Sequence, residues 1–156
     1  MKITGRSSLT KEYEERILDQ IILSFEHYAL GDINFNANAR KKKPIASFIL
    51  CTCFIDQLSG FIYDIESSQK RFERFIKDYM AHYKPFELCD TLRNGLVHNY
   101  STHGYYRLSY NKKRYTKKKR LHAVYDLNLY DFIREITDAF AKIKMEMKLK
   151  GQMRTN

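Results

Sequence analysis

Apolar side chains after Thr10 recur at Tyr13, Ile17, Ile21, Phe25 and Tyr28, the three- and four-residue spacing of one helical face. The spacing predicts a first helix with Thr10 as its N-cap and Gly31 as its stop. From Gly31 to Lys43 the chain is rich in Gly, Asn and Lys, which predicts a loop leading to Pro44 at a first helical turn. Between Pro44 and about Ser68 the sequence is apolar on nearly every face, as expected of a helix surrounded by others. A shorter amphipathic segment from Gln69 to Tyr83 places Phe72, Phe75, Ile76 and Tyr79 on one side. Pro85 then opens a fourth helix through about Tyr100.

The period changes after Gly104. Aromatic and β-branched residues in Tyr105 to Tyr110 and Leu121 to Leu127 flank a basic, turn-like centre, predicting a β-hairpin over 104–127 with a long tip. Asn128 followed by Asp131 marks a helix start, and Leu129, Phe132, Ile136, Phe140, Ile143 and Met147 give a last amphipathic helix ending near Gly151. The expected fold is all-α: an up-and-down bundle of four to five helices, with a basic hairpin inserted before the last.

A chain of 156 residues with 44% hydrophobic content supports one domain, taken here as 1–156. The formal charge of +10 points to a polyanionic partner, because Lys and Arg gain most by neutralising phosphates and releasing counterions. Cys51, Cys53 and Cys89 are odd in number and lack the spacing of a zinc site, so they read as reduced core residues, and no metal or cofactor is expected. Residues 1–10 hold no apolar signal core. The apolar run from Ile45 to Tyr63 is broken by Asp56, Gln57, Ser59 and Gly60, which lipid would penalise. A cytoplasmic protein without a membrane partner is expected.

The chemistry concentrates between Thr91 and Tyr100. On a regular helical wheel Phe86, Leu88, Cys89, Leu92 and Leu96 form a buried arc, and Asp90, Asn94 and His98 form a polar stripe at four-residue spacing. Gly95 lies inside this helix at a cost of roughly 1 kcal/mol against Ala, which points to a close approach by a partner helix or a ligand.

Arg93, Asn94, His98 and Tyr100 match an Arg, four residues, His, one residue, Tyr pattern that resembles the HEPN superfamily, and in particular its toxins paired with minimal nucleotidyltransferase antitoxins. Helix order and length agree with that family over most of residues 10–150, and the basic hairpin is a departure from its minimal bundle. The resemblance implies metal-independent RNA cleavage at a site formed across a homodimer, in a toxin or defence effector. It also implies a possible antitoxin that modifies Tyr100. In that chemistry His98 moves protons at the ribose 2′-hydroxyl or the leaving oxygen, Arg93 holds the phosphate, and Asn94 orients either of them. Asp56, an acid in an apolar helix, is the expected support for Arg93.

Structural roles stand beside these. A histidine near a helix C-terminus is favourable to the helix dipole, and Arg93 could simply pair with Asp56 or Asp64. The same sequence also suits a catalytically silent module of this type that binds RNA or a nucleotide, or a pure interaction protein. Residues 91–125 contain nine Lys or Arg and no acid, with Tyr110 and Tyr115 interleaved among Lys112, Lys113, Arg114, Lys117, Lys118, Lys119 and Arg120. That composition suits single-stranded RNA, and equally a solvated loop.

Overall fold

The computed structural model describes the backbone of residues 8–39, 44–110 and 125–153, and side chains over 13–39, 44–110 and 125–147. Within them the chain forms five helical rods and one small strand pair. The first rod joins α1 (Ser8–Ser24), a π turn (Phe25–Ala29) and α2 (Leu30–Asn38) without a break. The second is α3 (Pro44–Ile62) and the third α4 (Ser68–Tyr79). The fourth joins α5 (Pro85–Leu88), a second π turn (Cys89–Asn94) and α6 (Gly95–Asn99), and the fifth is α7 (Leu129–Met153). Strands β1 (Tyr106–Ser109) and β2 (Tyr125–Asn128) precede α7. The all-α bundle with a strand pair before its last helix is the expected architecture.

Helix α3 is the centre, packed by α2, α4, α6, α7 and both π turns. Its length and apolarity would suffice to cross a membrane, yet Phe48, Cys51, Phe54, Ile55 and Leu58 are buried against neighbouring helices. Its buried hydroxyls turn back on their own helix, Thr52 donating to the Ile49 carbonyl and Ser59 to that of Asp56. Helix α7 buries the expected stripe of Leu129, Phe132, Ile136, Phe140 and Ile143, with Met147 half-buried. Each such side chain contributes roughly 1.5–3 kcal/mol. Asn128 caps α7, its Oδ1 accepting from the Tyr130 and Asp131 amides.

Tyrosine hydroxyls fasten the rods together. Tyr79 donates to Glu146 at 3.0 Å, Tyr83 to Glu135 at 2.6 Å, and Tyr130 to the Ala37 carbonyl at 3.0 Å, so all three ties end on or start from α7.

Three features depart from the sequence pattern. The first helix does not stop at Gly31 but runs on to Asn38. Leu30, Ile33 and Ala37 are buried there, and Asn34, Asn36 and Asn38 donate their amides to carbonyls one turn back. The expected core stripe of that helix is also rotated away: Tyr13, Ile17 and Tyr28 are exposed, whereas Ile22 is buried. Leu18, Ile22 and Phe25 supply the core-facing side instead, and the π turn that follows lets consecutive side chains reach α7. Phe25 packs edge-on to Phe54 and against Phe140, and Glu26 pairs with Lys144.

The third departure concerns the strands. β1 and β2 pair in parallel, not as the antiparallel arms of a hairpin, with Tyr106 opposite Tyr125 and Leu108 opposite Leu127. Parallel pairing needs a connection of a dozen or more residues rather than a tight turn, and Ser109 and Tyr125 are far enough apart in sequence to allow it. Arg107 and Asp126 face each other across the pair in a two-pronged contact at 2.5 and 2.9 Å.

Candidate active site

Arg93 and Asn94 end the π turn of the fourth rod. Pro85 starts this rod at a position where its missing amide hydrogen costs nothing, and Leu88, Cys89, Leu92 and Leu96 anchor it in the core. The Gly95 amide reaches back five residues to the Asp90 carbonyl. A wheel drawn at 100° per residue therefore loses its phase within the motif, and Phe86, expected in the buried arc, is exposed.

Arg93 is held from three directions. Its Nε donates to Asp56 Oδ2 of α3 at 2.5 Å, one Nη to Asn94 Oδ1 at 2.9 Å, and the other to Ser68 Oγ, the first residue of α4, at 3.2 Å. The expected Arg93–Asp56 pair is present, and Asp64 takes no part in it. Three of five guanidinium N–H groups are engaged among the described residues, which leaves two without a partner there. The partner is less complete: Asp56 Oδ1 is enclosed without a hydrogen-bond partner among the described residues.

His98 stands one α-turn beyond Asn94, exposed and without a hydrogen bond or ion pair among the described residues. Arg93 is thus fixed and His98 is not. Tyr100 caps the helix in the left-handed region (φ 52, ψ 29), with its side chain 71% exposed.

The loop after Tyr100 explains Gly95. Tyr100 and Ser101 amides bond to the Leu96 and Gly95 carbonyls, which folds the chain back over the helix. A Cβ at Gly95 would collide with the Ser101 carbonyl oxygen, and the His103 ring lies 3.1–3.3 Å from that point. The close approach expected at Gly95 therefore comes from this chain's own loop, with neither a partner helix nor a ligand needed. His103, also at positive φ (50), is a second imidazole beside the motif that the sequence pattern did not single out. Ser68 was missed as well, for its role depends on the start of α4 meeting the motif rod in space.

No group of His, Cys, Asp or Glu among the described residues is arranged to hold a metal. Cys51 and Cys89 are buried, and burial pushes the Cys89 thiol up to about 11. Cys53, expected in the core, is exposed. The basic run Lys112, Lys113, Arg114, Lys117, Lys118, Lys119 and Arg120 lies outside the described residues.

Comparisons with protein-family models, curated proteins and solved structures find no match. The geometry on hand is a fixed cation with two N–H groups unengaged among the described residues, an amide beside it, and an exposed imidazole one turn away.

Proposed function

We propose that this protein is a metal-independent endoribonuclease of the HEPN type, working as a cytoplasmic homodimer. The observation that carries the reading is the joint placement of Arg93, locked by Asp56, Asn94 and Ser68, and His98, exposed one turn beyond Asn94. A phosphate bound to the outer guanidinium donors would gain charge stabilisation as the phosphorane forms. His98 would transfer a proton at the attacking 2′-hydroxyl or the leaving 5′-oxygen. The products would be a 2′,3′-cyclic phosphate and a 5′-hydroxyl.

The 71% exposure of Tyr100 supports a toxin or defence effector whose antitoxin is a nucleotidyltransferase, since a modifying enzyme needs an accessible phenol. Co-expression with such a transferase and intact-mass analysis would reveal a nucleotide adduct on Tyr100.

The deciding experiment is cleavage of single-stranded RNA in EDTA. The wild type is expected to cut, and His98→Ala and Arg93→Ala to abolish cutting, with His98→Ala retaining RNA affinity. A magnesium requirement, or cleavage that survives both substitutions, overturns the enzyme reading. A second reading, a silent RNA-binding module, is favoured by the three bonds that already occupy Arg93. It predicts RNA binding without cleavage by any variant.

A further inference from the structure

A cluster of aromatic rings lies at the front end of the motif rod. Tyr105 and Tyr125 have ring centroids 5.5 Å apart with planes 31° from parallel, and Tyr106 packs under both at 5.3 and 6.2 Å. Tyr106 is buried, whereas Tyr125 remains 45% exposed, so the lower ring is core and the upper one is surface. Lys84 places its Nζ 5.7 Å from the Tyr125 ring centroid.

Glu87 fixes both sides of this group to the motif rod. The Tyr105 hydroxyl donates to Glu87 Oε1 at 3.3 Å, Lys84 Nζ stands 3.6 Å from the same oxygen, and Thr91 donates to the Glu87 carbonyl at 2.5 Å. The carboxylate is therefore offset locally by Lys84. Two residues upstream of Tyr105, His103 covers Gly95 of the same rod. Glu87 and Gly95 are eight residues apart, or about 12 Å along a helix at 1.5 Å per residue. One loop thus links the aromatic cluster to the Arg93–His98 region.

We infer that Tyr125, Tyr105 and Lys84 form a stacking subsite for a nucleobase of single-stranded RNA flanking the cleaved phosphate, an inference that rests on the ribonuclease reading above. An exposed tyrosine ring offers a flat apolar surface that any base can cover. A lysine at its edge neutralises the adjoining phosphate. A base needs only the ring face. The chain's net charge of +10 favours the same polyanion.

The test uses a fluorescent 2′-O-methyl oligoadenylate, which cannot be cleaved through its 2′-oxygen, with anisotropy measured over a salt series. Tyr125→Leu removes one stacked base and is expected to weaken binding about tenfold or more, and Tyr125→Phe to restore it. Lys84→Ala, at an exposed position, should lower the salt slope by about one phosphate contact. An oligouridylate, the poorer stacker, should bind more weakly than oligoadenylate to the wild type and equally to Tyr125→Leu. Tyr125→Leu and Lys84→Ala proteins that both bind within twofold of wild type, with an unchanged salt slope, overturn the subsite and leave the ribonuclease reading standing. A wild type that binds neither oligonucleotide overturns the RNA reading itself.

Discussion

The Ser101 carbonyl oxygen occupies the space where Gly95 would carry a side chain. Glycine here allows the loop to lie on the motif helix. Gly31, also inside a helical rod, has nothing near its missing Cβ. Gly95→Ala should therefore destabilise the protein by about 1–3 kcal/mol despite alanine's better helix propensity, because the loop must move. Gly31→Ala should stabilise it by about 0.5–1 kcal/mol. Thermal or urea unfolding of the two variants checks this, and a neutral Gly95→Ala would mean the loop is loosely held.

Arg93 and Asp56 are both partly exposed, so their pair lies between the surface and buried limits. Arg93→Ala and Asp56→Ala should each cost roughly 1–3 kcal/mol, with a double mutant that costs less than their sum. Arg93→Lys should not restore stability, because one ammonium cannot reproduce contacts to Asp56, Asn94 and Ser68 in a single plane. Additive losses in a double-mutant cycle would show that the two residues act independently.

Alkaline pH should loosen the α4–α7 contact. Burial first, and then the hydrogen bond to Glu146, push the Tyr79 hydroxyl up to about 12, against about 10 for an exposed tyrosine. The unfolded chain loses this proton first. The stabilisation is thus complete below about pH 10 and is lost as pH rises through about 12. Tyr63 and Tyr83 are raised in the same direction, mainly by burial, so Tyr79→Phe should reduce the alkaline slope without removing it. Urea midpoints between pH 8 and 12 measure the difference, and identical slopes in the two proteins would count against the Tyr79 contribution.

Changing Lys117, Lys118 and Lys119 to Glu should weaken RNA binding and flatten its salt dependence while leaving the melting curve nearly unchanged. Unaltered affinity and slope would reduce the basic run to a solubility feature.

Much of the bundle was legible because its signals are local. Pro85, the Asn128 cap and the α7 stripe each depend on residues within one or two helical turns, and all act as their patterns imply. The Arg93–Asp56 pair was legible for another reason: an acid in an apolar helix needs a cation. What failed was the choice of buried side near helix starts, since Tyr13, Ile17 and Phe86 all lie in regular helix ahead of the π turns and are exposed. Strand direction also escaped, since alternation marks a strand without saying which way its neighbour runs. His103 and Ser68 became visible only once a loop and a helix start were folded against the motif.

The π turn at Cys89–Asn94 can be viewed as one surplus residue in an otherwise α-helical rod. It uncouples two demands that a regular helix would tie together: Leu88 satisfies the core ahead of it, while His98 is aimed by the turns behind it. Deleting a single residue within 89–94 would rotate everything downstream by about 100° relative to the core-anchored half. Helix content would hardly change, but Asn94 and His98 would face a different neighbour. Among changes to this rod, a length change of one residue is therefore more damaging to the site than most substitutions.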